Sequence, residues 1–585
     1  MTVLQALDKY YDRLATRGDV VPPGYSVEPI GFVIELNEDG TVSNVSERRD
    51  PSGKRAKLER VPKWFGRQGQ GSTPFLLWDN TGYALGVTKK TSEKVVKDVA
   101  AFKALHLNAM ADQTDIGLVA LRNFVEKWTP ETFVEPLFQK SFIDQNLAFK
   151  LVNESRLLHE RPAAIQLIEQ LRQPKDSDPV FCLVTGRHEA GVRLHPKIKG
   201  VDGTSVADVP LVSFNENAFW SYGKEQGRNA PTSEAAAFRY GAALNQLLDR
   251  QTGNRLKIAD ATVTYWADAE GFGEDVAAEA EHLFSALMEP PSDESEAKKI
   301  RDILVEIAKL RPLKEIEPKL EPTTRFHILG LSPNAARLSV RYWMTDEFGK
   351  LAEKLSRHFK DISIEPAPWG VRLPSIRFLL IKTTALMEKP ENIPPHLAGE
   401  VARAVLEGLP YPRTMLATAI MRLRAGDPPH TGWHAAIIKA CINRSETSAK
   451  EKLPVSRDPD NTHPSYQLGR LLAVLEAAQY AALGRVNASI VDRYYGAASA
   501  TPARVFGPLL RNVRNHVSDA TKRGKGKWIE ARLNEIMTKL PPDMPTSLKL
   551  VDQGRFAVGY YHERAWRGPG QPDTETPDPT DEETQ

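Results

Sequence analysis

The sequence predicts an α+β fold, with an N-terminal mixed helix and antiparallel-sheet domain followed by a C-terminal helical bundle. Three patterns carry this expectation. Apolar residues recur at helical spacing from the first turn. Short β-rich runs separated by turn residues follow in the first third. Beyond Thr345 helical periodicity dominates, with short connections that suit a bundle.

The first helix is expected from Thr2, with Gln5 three residues on in capping-box spacing. Leu4, Leu7, Tyr11 and Leu14 form its apolar face, and Pro22-Pro23-Gly24 is expected to stop it. Ile30 to Leu36 reads as a strand, Asn37 to Gly40 as a turn, and Thr41 to Val45 as the returning strand. Phe75 to Trp78 and Tyr83 to Val87 form a second expected hairpin. Helical periodicity runs from Ser92 to about Leu171, and Val180 to Thr185 reads as a buried strand. The stretch Gly186 to Ala230, rich in Gly, Asn and Ser, is too long for an idle connection. Ser233 to Leu248 reads as a helix and Ala261 to Trp266 as a strand. Arg325 to Leu329 and Arg337 to Trp343 are expected strands flanking a turn at 330–334. Arg444 to Ser465 is polar and proline-containing and reads as a linker. Helices are then expected over 466–482, 487–495, 501–520, 527–540 and 546–564. The implied division is 1–130, 131–443, a linker at 444–465, a bundle at 466–567, and an acidic tail at 568–585 expected to be disordered.

The 585 residues are 41% hydrophobic and 26% charged, which excludes global disorder and fibrous repeats. Cys182 and Cys441 are the two cysteines, so a disulfide framework is excluded and a cysteine-built zinc site disfavoured. Met1 to Asp19 carries Asp8, Lys9, Asp12, Arg13 and Arg17 among its apolar residues and reads as an amphipathic helix rather than a signal peptide. The run Leu471 to Leu483 is broken by Glu476 and Gln479, and no stretch reaches the ~18 apolar residues of a membrane span. A cytoplasmic protein with no membrane partner is expected.

Motifs of catalysis are sparse. His430 and His434 stand four apart, but no nearby Glu completes a zinc-protease pattern. Gly223 to Gly227 holds a lysine between glycines without the Gly-Lys-Ser/Thr of a phosphate-binding loop. Gly-x-Ser-x-Gly does not occur. No cofactor and no metal is expected. A metal-dependent nuclease or phosphotransferase built on 186–230 stays open as an alternative, as does a scaffold that binds no DNA.

Basic segments are more informative. Arg48, Arg49, Lys54, Arg55, Lys57, Arg60, Lys63 and Arg67 crowd the stretch 46–71 against three acidic residues. Trp64, Phe65 and a Gly/Gln loop end it. Lys and Arg neutralise phosphates, Gln and Asn read base edges, and glycine admits close backbone approach. Ser465 to Leu540 holds twelve basic residues against five acidic ones. Its densest part is Lys522, Arg523, Lys525 and Lys527, with Arg511 and Arg514 upstream. Such a surface suits a nucleic-acid single strand tracked along its backbone.

Further blocks identify a resemblance. They include Leu4-Gln5-Ala6-Leu7, Pro22-Pro23-Gly24, Pro74-Phe75-Leu76 with Asp79-Asn80, and Cys182 with Thr185-Gly186. His195-Pro196, Ile198-Lys199-Gly200, Ser213-Phe214-Asn215, Ser221-Tyr222-Gly223-Lys224, Gln226-Gly227 and Asn229-Ala230-Pro231 follow. Ala243-Leu244-Asn245, Leu329 to Asn334 with Arg337, Tyr466 to Arg470, Leu475-Glu476, Asp492 to Tyr495, Ser499 to Pro502 and Gly559-Tyr560-Tyr561 continue the series. In this order, to about Trp566, the chain resembles the large subunit of the type I-C CRISPR interference complex (Cascade). The acidic tail departs from the pattern.

The resemblance implies a non-catalytic subunit of a crRNA-containing complex with backbone and guide-end subunits. It implies recognition of the protospacer-adjacent motif in double-stranded target DNA, promotion of the R-loop and contact with the displaced single strand. It also implies recruitment of a trans-acting helicase-nuclease. A small subunit made by internal translation of the same frame would start near 444–465, with Met421 and Val455 as candidates. Base pairing reads the target, and protein reads the adjacent motif. The resemblance itself transfers no individual contact residue. The residues favoured for the adjacent motif are Lys63, Trp64, Arg67, Gln68, Gln70 and Ser72, with Asn215, Asn217, Lys224 and Asn229 as a second set. Those favoured for the displaced strand are Arg511, Arg514, Lys522, Arg523, Lys525 and Lys527.

Overall fold

The computed structural model describes residues 1–63, 72–89, 93–172, 179–203, 209–258, 261–334, 337–446, 448, 451–484 and 486–566. The described residues divide into two compact units. The first comprises residues within Met1–Ile198 and Pro210–Gln246, and the second those within Lys199–Val209 and from Leu247 onward.

The first unit opens with α1 (Val3–Arg17), whose capping box forms as the spacing predicts. Thr2 Oγ1 accepts from Gln5 N at 3.3 Å and Gln5 Oε1 accepts from Thr2 N at 2.9 Å. The helix ends earlier than Pro22, at Gly18, whose φ of 75° is the left-handed conformation glycine adopts most easily. Strands β1 (Tyr25–Ile30), β2 (Phe32–Leu36), β3 (Val42–Glu47), β4 (Lys57–Pro62) and β5 (Trp78–Asn80) follow. After helices α2 (Thr81–Ala84), α3 (Glu93–Ala109) and α4 (Ile116–Lys127) comes β6 (Asn146–Leu151). The four-stranded sheet runs β3-β2-β6-β5 and is mixed, because β2 and β6 pair in parallel. The expected antiparallel sheet is corrected here: parallel neighbours need a long crossover, and 37–145 supplies one. Both sheet faces are covered. Phe32, Ile34, Leu147 and Phe149 enter one apolar cluster, and Val33 and Ala148 enter another with Trp78 and Phe75.

Three further expectations change in this unit. No hairpin forms over 75–87: Asn80 instead caps α2 by accepting from Tyr83 N at 3.2 Å. The helical run to Leu171 is interrupted by short 3-10 turns and by β6, resuming as α5 (Pro162–Arg172). The strand over 180–185 shrinks to β7 (Pro179–Phe181), paired with β8 (His188–Ala190). Helix α6 (Glu234–Leu247) follows the irregular stretch. Its Arg239 binds both Asp8 and Asp12 of α1, at 2.7 Å each.

The second unit holds a four-stranded antiparallel sheet in sequence order, with helices both between its second and third strands and after it. Its strands are β9 (Arg255–Ile258), β10 (Ala261–Ala267), β11 (Arg325–Asn334) and β12 (Arg337–Glu347). The predicted turn at 330–334 is thus part of β11. Buried His327 on β11 meets Thr345 Oγ1 on β12 at 2.6 Å and Asp268 Oδ1, just past β10, at 3.3 Å. Helices α7 (Glu274–Met288), α8 (Glu294–Ala308) and α9 (Leu313–Ile316) precede β11, and α10 (Phe348–Ile362) follows β12. Phe348, Leu351, Leu355, Phe359 and Ile362 of α10 are buried at helical spacing. Then come α11 (Ile376–Ile381), α12 (Pro395–Glu407), α13 (Arg413–Arg424) and α14 (Trp433–Ser445). The last five helices are α15 (Pro464–Leu483), α16 (Ile490–Ala500), α17 (Pro502–Lys522), α18 (Gly526–Met537) and α19 (Leu550–Ala565).

The segment expected as a linker does not separate a bundle from what precedes it. One hydrophobic core runs from Leu256 to Tyr561, so the expected division at 443 does not coincide with a unit boundary. Within 444–465, Leu453 is buried and its backbone exchanges hydrogen bonds with the Asn443 amide at 2.7 and 2.8 Å. The acidic tail expected at 568–585 lies outside the described residues.

Candidate nucleic-acid interface

Of the described part of the first basic segment, Lys57–Pro62 form strand β4 and the residues before it a turn. β1 and β4 pair antiparallel, placing Lys57 to Pro62 opposite Tyr25 to Ile30. Several of its cations are neutralised locally. Lys63 Nζ meets Glu28 Oε1 at 2.6 Å and lies 5.3 Å from the centre of the Phe75 ring. Lys57 meets Glu59 at 2.8 Å, and Arg49 meets Glu47 at 2.5 Å while donating to Ser141. Lys54, Arg55 and Arg60 are exposed. Ser72 is partly exposed, and Trp64, Arg67, Gln68 and Gln70 lie outside the described residues.

The described residues of 179–198 and 210–233 are largely irregular and held by side-chain hydrogen bonds. Buried Cys182 Sγ accepts from Thr185 N at 3.4 Å and from Ser233 N at 3.2 Å. Burial raises its thiol pKa, but these hydrogen bonds outweigh burial and the net direction is down. His195 Nδ1 lies 2.7 Å from the Tyr240 hydroxyl, and burial pushes its pKa down to about 4. Gly227 is required by its neighbours, since a Cβ there would lie 2.3 Å from Val192 O.

Of the second set of base-reading candidates, Asn229 is turned to loop building. Its Oδ1 accepts from Ser221 N at 3.0 Å, and its Nδ2 donates to Lys224 O at 2.8 Å and Gln226 O at 3.1 Å. Those bonds brace a two-residue turn, Tyr222-Gly223, closed by Lys224 N donating to Ser221 O at 2.9 Å. Asn215, Asn217 and Lys224 are exposed. Tyr222, at the tip, is 99% exposed, and its residue type alone does not single it out as a site. A Tyr-Gly pair between Ser and Lys is a turn signal that could have drawn attention to it.

In the second unit, α17 is amphipathic. Phe506, Leu509, Val513 and Ala520 are buried along one side, while Arg504, Arg511 and Lys522 project from the other at seven- and eleven-residue spacing. Arg514 is exposed on the flank of that basic side. The chain then turns tightly: Lys525 N donates to Ala520 O at 2.8 Å, and Gly524 takes a φ of 74°. Lys522, Arg523, Lys525 and Lys527 are all exposed around this turn. Lys522 Nζ meets Asp519 at 2.8 Å, and that hydrogen bond holds the Asp519 carboxyl below its usual range.

Two cations of the expected basic surface are taken up by ion pairs, one buried and one half-buried. Arg470 is fully buried, bonded to Glu563 and Glu535 at 2.7 Å each and to Gln467 at 3.0 Å. Arg532 lies 3.5 Å from the centre of the Trp566 ring and 2.6 Å from Glu535. Burial of an arginine demands such pairing, because an unpaired buried charge is strongly unfavourable. Among the described residues of this region, most of the exposed cations lie on α17 and the turn after it, with Arg493 exposed on α16.

His434 is buried, with Asp427 Oδ2 3.5 Å from its Nε2, and its pKa is pushed down to about 4 by burial. Among the described residues no group of three or more His, Cys, Asp or Glu is placed to hold a metal ion. Among them, too, no helix is long and apolar enough to cross a membrane.

Residues 7–567 match the model of the CRISPR-associated protein family Cas_Csd1, and the chain belongs to that family. No curated protein matches the chain.

Proposed function

We propose that this chain is the large, non-catalytic subunit of a type I-C crRNA-guided interference complex. In this reading it recognises the protospacer-adjacent motif in double-stranded DNA and promotes R-loop formation. It also holds the displaced strand and helps recruit the helicase-nuclease. The observation that carries the reading, given membership of a CRISPR-associated family, is the exposed cationic side of α17 and its following turn. Backbone-tracking cations on a rigid helix are what a sequence-tolerant single-strand path needs. The residues from Lys63 to Ser72 are the proposed readers of the adjacent motif.

A gel-shift titration with duplexes that differ only beside the target tests the reading. Replacing Gln68 and Gln70 by Ala should weaken binding to the preferred duplex by about 1–3 kcal/mol for each base no longer read. Unchanged affinity and unchanged duplex preference would remove that loop from the role. Cleavage of the same DNA by the purified chain in the presence of Mg²⁺ or Mn²⁺ would favour an enzyme instead.

A further inference from the structure

The geometry points to Tyr222 as a base-stacking group, a flat aromatic tip presented to an unpaired nucleobase. The inference rests on the nucleic-acid reading above and adds to it a residue and a mode of contact. Three observations carry it. The ring is 99% exposed, so no described part of this chain packs on it. It stands at the first position of a two-residue turn in which Tyr222 and Gly223 both have positive φ, 52° and 69°. Such turns favour Asn, Asp or Gly at that first position, and a bulky residue there is strained. The turn is nevertheless over-determined: the Asn229 side chain bonds both its ends, at Ser221 N and Lys224 O, and also Gln226 O beyond it, and Lys224 N closes it. A strained residue held by a braced scaffold, with its side chain contributing nothing to the fold, points to a use outside the chain.

The chemistry of that use follows from the surroundings. Lys224 is exposed two residues on, and exposed Arg193 is tied to the same loop through Gln226 at 2.7 Å. An aromatic face beside cations is the composition of single-strand stacking sites, where the ring meets the base and the cations meet the phosphates.

Tyr222→Asn separates the ring from the turn, because asparagine tolerates the left-handed conformation. The full-length chain would be titrated by fluorescence anisotropy with single-stranded oligothymidylate and with an abasic oligonucleotide of equal length. Wild type should prefer the base-bearing strand. Y222N should lose affinity for it by roughly 5- to 150-fold while binding the abasic strand as before. Its salt slope should not change, since no charge is removed. Tyr222→Trp should retain the preference, and the melting temperature of Y222N should equal or exceed that of wild type. Wild-type affinity in Y222N, or an equal loss on both strands, overturns the stacking role alone. Failure of the wild-type chain to bind either strand overturns the nucleic-acid reading and this inference with it.

Discussion

His106 shows how one residue couples burial to pH. Its Nε2 accepts from Leu77 N at 2.9 Å and its Nδ1 faces Phe102 O at 2.9 Å, so the neutral ring with its proton on Nδ1 satisfies both. Burial pushes its pKa from the usual 6.5 down to about 4. Between those values the unfolded chain takes up a proton that the folded chain refuses, so stability falls as pH falls. The contribution is fully present above pH 6.5, and about 3 kcal/mol of it is gone once pH drops below 4. Urea unfolding of His106→Gln at several pH values should show a shallower acid loss than wild type; parallel curves would contradict this account. The position was not legible beforehand, because nothing near residue 106 reveals that Leu77 N would face it. Thr2 with Gln5 was legible, since a capping box is closed by residues three apart.

At the scale of elements, α15 and α19 meet backbone to backbone. A Cβ on Gly469 would stand 2.0 Å from Phe556 O, and one on Gly559 would stand 2.1 Å from Tyr466 O. Around this crossing Tyr560 donates to Glu476 at 2.7 Å, the Tyr466 hydroxyl lies 2.9 Å from His562 Nδ1, and Arg470 holds Glu563. Several of the blocks that carried the family resemblance, Tyr466 to Arg470, Leu475-Glu476 and Gly559 to Tyr561, are thus accounted for by helix packing. Gly469→Ala should destabilise the chain by about 3 kcal/mol or more, at or beyond the upper end of ordinary overpacking. Gly399→Ala is the control: it lies inside α12, and beyond its own helix backbone and chain neighbours no atom stands within 4 Å of the added methyl, so it should stabilise by up to ~1 kcal/mol through helix propensity. Denaturant midpoints compare the two, and equal effects would refute the close crossing. Helix positions were legible here from 3.6-residue periodicity, whereas β6 was not. Asn146 to Leu151 is a short apolar run, and periodicity does not tell such a run from a helix segment.

For the whole molecule, charge placement matters more than its sum. The net charge is +2, yet exposed cations collect along α17 and around Gly524. Neutralising Lys522, Arg523, Lys525 and Lys527 together should flatten the dependence of log Kd for DNA on log salt. The change should be roughly 0.7–0.9 for each phosphate that is no longer neutralised. A slope identical to wild type would take these residues off the nucleic-acid path. The count of cations in the sequence overstated this surface, because Arg470 is neutralised by Glu535, which lies 65 residues away.

The sequence by itself determined what depends on near neighbours: the first helix's cap, most helices, the β-rich opening and the family. It also located the two basic segments. The tertiary structure alone decided the parallel pairing of β2 with β6, the single core running through the expected linker, and which cations face water. It also decided that Asn229 braces a turn while Tyr222 stands clear of it. The reason is physical: exposure, ion pairing and backbone approach are settled by groups distant in sequence, and local pattern carries no record of which distant group arrives.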